Sequence, residues 1–312
     1  MKIGQFKTQK FEGEEIKRFI SKPIFDERSI LSKDPAWPKV SVVTPSFNQT
    51  QFLEKTILSV LNQNYPNLEY IIIDGGSTDG SVEIIKKYEK YLAYWVSEKD
   101  DGQADAIGKG FMKATGEILA WLNSDDYYLP GTLHRVAREF KQANYDLIYG
   151  DEILVDENDV VIGRRPQLPP PGLLTPALIT LGGFWIYQPA SFWKAELYKR
   201  VGGVDRSFQF CMDNDLFIKF VLAGARLHHV KQYFTAFRYH STSKSCSMID
   251  VGQRERKQLS DKYRSKIPFW LNDPRLTQAL GHLYLLRHLT NGTGWYLCRR
   301  IMKKFGTFKG QV

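Results

Sequence analysis

Asp125 and Asp126 stand side by side in the stretch Trp121-Leu122-Asn123-Ser124-Asp125-Asp126-Tyr127-Tyr128-Leu129-Pro130. Two adjacent carboxylates repel, so a fold keeps such a pair for a cation or a shared proton. A hard divalent ion gripping a diphosphate is the natural occupant. The plainer use is to cap a helix opening near Pro130, because Ser and Asp cap well and Pro suits a first turn. A third carboxylate, Asp213, opens a segment with apolar residues at Leu216, Phe217, Phe220 and Val221, which is helical spacing. At a helix N-terminus the dipole stabilises it, as a cap or as a base facing a cleft. Arg238, His240, Ser243 and Lys244 gather after an apolar run. They could contact phosphate or supply a metal ligand, or form a solvated loop.

Two glycine-bearing segments invite a ligand. Asp74-Gly75-Gly76-Ser77-Thr78-Asp79-Gly80 directly follows the apolar run Tyr70–Ile73. Glycines there let a ligand approach the backbone, and Ser77 or Asp79 can cap the next helix, although an ordinary strand-to-helix turn would look the same. The segment Gly102 to Gly110 resembles a phosphate-binding loop. It has five residues where four are required before Gly108-Lys109, and Gly110 replaces the magnesium-binding Ser or Thr. With no GxGxxG after the first strand either, dinucleotide oxidoreductase and P-loop ATPase readings weaken.

The elements that must position these residues alternate regularly. Strands are expected at Val40–Val43, Tyr70–Ile73, Tyr94–Val96, Ile118–Leu122 and Leu147–Tyr149, with helices near Phe52–Leu61, Val82–Tyr88, Ala104–Lys113 and Leu133–Lys141 between them. Such alternation implies βαβ units and a mostly parallel sheet, at whose carboxyl edge ligands bind. The rhythm breaks after residue 150: five prolines fall between Pro166 and Pro176, then come the aromatic segments 182–193, a helix over Asp213–Ala223 and the run His228–Arg238.

With 312 residues, 43% of them hydrophobic and 25% charged, the chain has the make-up of a globular α/β protein. Its three scattered cysteines fit a reducing compartment, and no run approaches the roughly 18 apolar residues of a membrane span. A cytoplasmic location is expected. The net charge of +9 is concentrated: residues 251–312 carry 13 Lys and Arg against 3 Asp and Glu, leaving −1 for the rest. Leu276, Leu280, Leu283, Tyr284 and Arg287, then Trp295 to Lys304, suggest a basic amphipathic helix. It could pack on the main body or rest weakly on anionic lipid at the inner face of the membrane. No nucleic acid is expected.

Taken in order, Val40-Ser41-Val42-Val43-Thr44-Pro45-Ser46-Phe47-Asn48, Ser59-Val60-Leu61-Asn62-Gln63, the segment from Asp74 to Gly80, Gly116-Glu117-Ile118, the Asn-Ser-Asp-Asp stretch, Gly202-Gly203-Val204-Asp205 and Asp213-Asn214-Asp215-Leu216 resemble glycosyltransferase family 2 over about residues 38–245. Residues 102–107 and 188–193 resemble the subgroup acting in bacterial exopolysaccharide and lipopolysaccharide assembly.

The resemblance implies a GT-A fold, a Rossmann-like α/β sheet flanked by helices. An N-terminal extension would cover 1–38, a nucleotide-sugar half 39–150, an acceptor half 151–245 and a helical basic extension 246–312. It implies a nucleotide-sugar donor, a saccharide or lipid-linked acceptor, and Mg²⁺ or Mn²⁺. Donor contacts map onto Pro45, Ser46, Asn48, Asp74, Gly75, Gly76, Gln103, Asp105, Lys109 and Asp125. Metal contacts map onto Asp125, Asp126 and His240, with Asp126 favoured for direct coordination, and Asp213 becomes the general base.

The chain departs from the family at Gly75, where a second Asp often contacts the base, at Asn123, often Asp, and at Met212, usually Glu. The implied reaction is one displacement at the anomeric carbon, which inverts configuration. The rivals are a non-catalytic binding protein of the same fold and a nucleotidyltransferase, which would release pyrophosphate.

Overall fold

The computed structural model describes residues 13–267 apart from 171, 173, 174, 182 and 183, together with residues 275 and 279. Nine strands form one sheet: β1 (Val40–Ser46), β2 (Leu68–Asp74), β3 (Tyr94–Ser97), β4 (Ile118–Trp121), β5 (Tyr127–Tyr128), β6 (Leu147–Val155), β7 (Val161–Arg165), β8 (Ser191–Lys194) and β9 (Leu227–Arg238). Their order is β3-β2-β1-β4-β8-β6-β9-β5, with β7 paired to β6. The first four are mutually parallel, β8 runs antiparallel between β4 and β6, and β6 and β9 are parallel.

Parallel strands covered on both faces should be largely apolar and should divide their apolar side chains by parity. That is what β1, β2 and β4 do. Val43, Ile71, Ile73, Leu119 and Trp121 enter one core, and Val40, Val42, Tyr70, Ile72, Ile118 and Ala120 enter the other. The helix Gln103–Lys113 and the helix Met212–Leu222 cover the first face through Ile107, Phe111, Leu216, Phe217 and Phe220. The helix Thr50–Leu61 covers the second through Leu53, Ile57 and Leu61. Gly110 is explained here: a Cβ on it would lie 2.3 Å from Val43 Cγ1, so the helix can reach β1 this closely only with glycine. The resemblance to a phosphate loop was packing.

β6 outlasts β8. Its residues 147–149 pair with β8, and residues 152–155 pair with β7. Between the two stretches the ladder to β9 shifts register around Gly150, where a Cβ would meet Phe234 at 2.4 Å. Such an irregularity re-aims the side chains that follow it.

The first and last helices of the described residues join the same body. The helix Gly13–Ser21 buries Ile16, Phe19 and Ile20 against Tyr127, Ile153 and Ala236. The helix Ile249–Arg264 buries Leu259 and Tyr263 in the first core. It is locked to Asp215, which accepts hydrogen bonds from the Tyr263 hydroxyl at 2.7 Å and Lys262 Nζ at 2.9 Å. The amphipathic stretch expected from Leu276 to Lys304 lies outside the described residues. Among those described, no helix is long and apolar enough to cross a membrane.

Glu69 ties β2 to the start of β1 and to the turn before β4. It accepts from Ser41 Oγ at 2.5 Å, Thr115 N at 2.7 Å and Thr115 Oγ1 at 2.7 Å, and pairs with Lys39 at 2.7 Å. Burial pushes the carboxyl up, but the bonds from Lys39, Ser41 and Thr115 win and hold it at about 2 against 4.5. A depressed carboxylate stabilises the fold fully above its unfolded pKa and loses that contribution as pH falls through the folded one. Wild-type melting temperature should therefore fall between pH 4.5 and 2 more steeply than that of Glu69→Gln, a difference worth about 2 kcal/mol. Parallel melting curves for the two across that window would contradict the assignment.

Candidate active site

The loops leaving the carboxyl ends of β1, β2 and β4, with the loop after β3, surround a cavity of about 490 Å³. Pro45, Ser46, Gly75, Gln103 and Asp125 line it, as do Lys99, Asp100, Asn123, Thr242 and Lys244. Five other residues assigned to the donor build its walls instead. Asp74 is fully buried, and its two oxygens accept from Gly76 N at 3.1 Å, Ser77 N at 2.8 Å, Ser77 Oγ at 2.5 Å and Ser97 Oγ at 2.7 Å. Those bonds fix the turn at Gly76, whose φ of +83° suits glycine. Asn48 latches the β1 loop to the same turn, accepting from Thr78 N at 3.0 Å. Asp105 pairs with Arg206 at 2.7 Å and Lys109 at 3.2 Å, and Lys109 also reaches Glu98 at 3.4 Å.

The acidic pair divides its labour at the turn that follows β4, where Asp126 N donates to Asn123 O at 3.1 Å and the two side chains meet different partners. Asp126 is 1% exposed, accepting from Arg238 N at 2.9 Å and from Asn123 Nδ2 at 3.3 Å. Burial first, and Asp125 second, push its carboxyl well above the usual range. Asp125 lines the cavity and meets His240 Nε2 at 3.0 Å through Oδ2. His240 is oriented by Thr242 Oγ1, 2.9 Å from Nδ1, and its ring packs on Phe52. Sequence reasoning favoured Asp126 for direct metal coordination; in the structure each Asp126 oxygen accepts a hydrogen bond, and Asp125 rather than Asp126 lines the cavity.

Asp125 and His240 offer one hard oxygen donor and one imidazole, a set that Mg²⁺ or Mn²⁺ can use. Among the described residues no group of three such ligands forms. A divalent ion held here would therefore take its other ligands from phosphate and water, the ordinary arrangement for Mg²⁺ at a nucleotide.

A second cavity, of about 740 Å³, shares Gln103, Asn123, Asp125, Ser243 and Lys244 with the first and extends to Asp213. Asp213 stands in the first turn of Met212–Leu222. The segment before that helix is clamped by Glu255, which accepts from Gln209 N at 2.8 Å, Phe210 N at 2.9 Å and Cys211 N at 2.8 Å. Burial raises the Asp213 carboxyl to about 6, against the pull of the Asn214 N–H and of Arg256. Arg256 lines the cavity too. So does Glu152, re-aimed by the β6 irregularity, fully buried and pushed by burial to about 7 with Arg165 Nη1 at 3.4 Å. Arg165 stacks on Tyr187, 4.0 Å from the ring centre, and Trp121, Trp185 and Phe237 complete an aromatic wall.

Sequence reasoning missed Asp100, Glu152, Arg165 and Arg256. Two carried a signal: Asp100 precedes the glycine of a recognised segment by two residues, and Glu152 is a charge inside an apolar strand run. Arg256 carried none, being one of many basic residues near the C-terminus.

Comparison with known proteins gives a consistent picture. The model of the family described as Glycosyl transferase family 2 matches residues 41–200, about half of the chain. An uncharacterized glycosyltransferase of Nostoc sp. is 28% identical over 176 residues, 54% of this chain and 54% of that one. The match thus spans about half the length of that relative. The Bacillus subtilis protein TuaG, named as a glycosyltransferase of teichuronic acid biosynthesis, is 40% identical over 103 residues, 31% of this chain and 40% of its own. Among solved structures, S. aureus TarS 1-349 in complex with UDP superposes with a TM-score of 0.58 at 18% identity, covering 82% of this chain and 73% of that one. The mannosyltransferase PcManGT from Pyrobaculum calidifontis in complex with GDP-Man and Mn²⁺ gives 0.57 at 16% identity, covering 95% and 87%. At these identities the likeness speaks for the fold, a GT-A type α/β architecture.

The raised carboxyl at Asp213 has a measurable cost. Below 3.8 both folded and unfolded states hold the proton, and above about 6 both are ionised and the folded state carries the burial penalty. Asp213→Asn should therefore stabilise the protein by about 1–2 kcal/mol at pH 8 and change it little near pH 3.5. Thermal unfolding at the two pH values checks this; equal effects at both would refute it.

Proposed function

This chain belongs to glycosyl transferase family 2, and from that premise we propose that it transfers a sugar from a nucleoside-diphosphate donor to a hydroxyl of a saccharide or lipid-linked acceptor, with inversion at the anomeric carbon. The observation that carries the reading is the shared wall of the two cavities. Asp125 lines both and Asp213 lines the larger, so a donor diphosphate at Asp125 and an acceptor at Asp213 would meet across it.

The smaller cavity takes the nucleotide against Pro45, Ser46, Gly75 and Gln103. A divalent ion on Asp125 and His240 would neutralise charge growing on the leaving diphosphate. Lys244, which lines both cavities and donates to Gln209 O at 2.9 Å, adds a fixed positive charge at the same junction. Asp213 accepts the proton of the acceptor hydroxyl as that oxygen attacks the anomeric carbon, and the bond to the nucleoside diphosphate breaks. A base near 6 is ionised at neutral pH yet strong enough to share a proton in the transition state. Trp185, Tyr187 and Phe237 supply apolar faces suited to sugar rings. The Bacillus subtilis relative's name supports surface-polysaccharide assembly as the setting.

Asp213→Asn should lower transfer by about 10²–10⁴-fold while nucleoside diphosphate binding, followed by calorimetry, persists. Wild-type turnover by that variant would remove the base assignment. The rate should fall as pH drops below about 6, because a protonated Asp213 cannot accept a proton. Arg256→Gln, which removes a charge that lowers this pKa, should move that acid limb upward.

Metal dependence is read separately. With Mn²⁺ and UDP or GDP the wild-type melting temperature should rise, Asp125→Ala should lose the rise, and Asp126→Ala should mainly lower the unliganded melting temperature. An Mn²⁺-dependent rise that survives in Asp125→Ala would return the metal to another residue.

A further inference from the structure

The two solved neighbours hold different bases, one UDP and the other GDP-Man, so the fold alone leaves the donor base open. The arrangement of this chain's own residues narrows it. In the order β3-β2-β1-β4, Asp125 follows β4, Gly75 follows β2 and Asp100 follows β3. At about 4.8 Å per strand, Gly75 and Asp100 lie roughly 10–14 Å along the sheet edge from Asp125. If the diphosphate sits at Asp125 and His240, that displacement carries the base over Gly75 and Asp100.

Gly75 is not glycine for its backbone, which stays out of the left-handed region. The space beside it is occupied: a Cβ at Gly75 would stand 2.8 Å from Asp100 Oδ2. A side chain at 75 and the Asp100 carboxylate compete for one volume, and here Asp100 holds it. Asp74, the other acid at this end, is fully buried with both oxygens committed to the turn. Among the charged residues described around the smaller cavity, Lys99, Asp100, Asp125 and Lys244, only Asp100 offers a carboxylate at the β2–β3 end. Its Oδ1 accepts from Gly102 N at 2.8 Å, which fixes the group and leaves Oδ2 as the oxygen beside Gly75.

We propose that Asp100 selects the donor base, its Oδ2 accepting the ring N–H of uracil from the place beside Gly75 that a side chain at 75 would otherwise take. The assignment rests on the donor site proposed above. A carboxylate is an acceptor only. Cytosine and adenine present a lone pair at the corresponding ring nitrogen and are repelled. Guanine presents two neighbouring donors, best met by both oxygens of a carboxylate, and one of these is already engaged by Gly102. Uracil presents a single ring N–H, matching the single remaining oxygen.

The test titrates the full chain with UDP, CDP, GDP and ADP in the presence of Mn²⁺ by calorimetry, with unliganded melting curves as the folding control. Wild type should bind UDP about tenfold or more tighter than CDP, the range of a hydrogen bond to a charged group. In Asp100→Asn the amide oxygen keeps the Gly102 bond and the amide N–H₂ replaces Oδ2, so preference should move toward CDP. The double variant Gly75→Asp with Asp100→Gly, which returns a carboxylate to the same volume from the other side, should recover the UDP preference. A wild-type UDP-to-CDP ratio retained by Asp100→Asn, or a wild-type preference for GDP, overturns the proposal. If wild type binds none of the four, the donor site itself falls and this assignment falls with it, an outcome distinct from binding without base selection.

Discussion

The buried Arg238 side chain is the contact on which the site's geometry depends. Its backbone N–H meets Asp126 Oδ1 at 2.9 Å, its Nε donates to the Asp125 carbonyl at 2.9 Å, and its Nη1 donates to the Asp156 carbonyl at 3.1 Å. Nη2 pairs with Asp159 at 2.7 Å, and the guanidinium packs over Phe52 at 4.5 Å. One fully buried cation thus joins the loop after β4, the end of β9, the β6–β7 turn and the helix Thr50–Leu61. Deleting one partner of such a buried network costs several kcal/mol, because the others are left uncompensated. Its consequence for function is directional. With Asp126 turned inward to the Arg238 backbone, Asp125 turns outward, and His240, two residues beyond Arg238, arrives beside it.

The larger cavity is organised by the opposite kind of electrostatics. Asp213 and Glu152 both lose solvation there and are pushed upward, to about 6 and about 7. Among the described residues neither Glu152 oxygen has a hydrogen-bond partner, and Arg165 Nη1 stands 3.4 Å away. A fold that wanted stability alone would not leave carboxyls so poorly served. Perturbed acids gathered in one cleft, against an aromatic wall, support the proposal that places the acceptor there.

The helix Ile249–Arg264 braces the side of the larger cavity that carries Asp213. Glu255 fastens the backbone just ahead of Asp213, Arg256 bears on its charge, and Lys262 with Tyr263 holds Asp215 in the same first turn. A segment that reads as the start of a basic tail therefore acts as the brace of the helix bearing Asp213.

The strands, their parallel start and the family were legible in the chain because they rest on local patterning. Parity along β1, β2 and β4, and glycine and carboxylate motifs in fixed order, survive without knowledge of partners. Asp125, Asp213 and His240 stand out in the sequence for the same reason, and the structure brings Asp125 beside His240 and Asp213 to the larger cavity. What tertiary structure decided was which way each carboxylate faces and what it meets. Asp125 and Asp126 are neighbours in sequence, and Arg238 and His240, more than a hundred residues away, separate their surroundings. Asp74 became a turn anchor once Ser97 arrived from β3, and Gly75 gained meaning only when Asp100 filled its space. Periodicity is written by adjacent residues; the direction of a charge is set by whatever the fold brings opposite it.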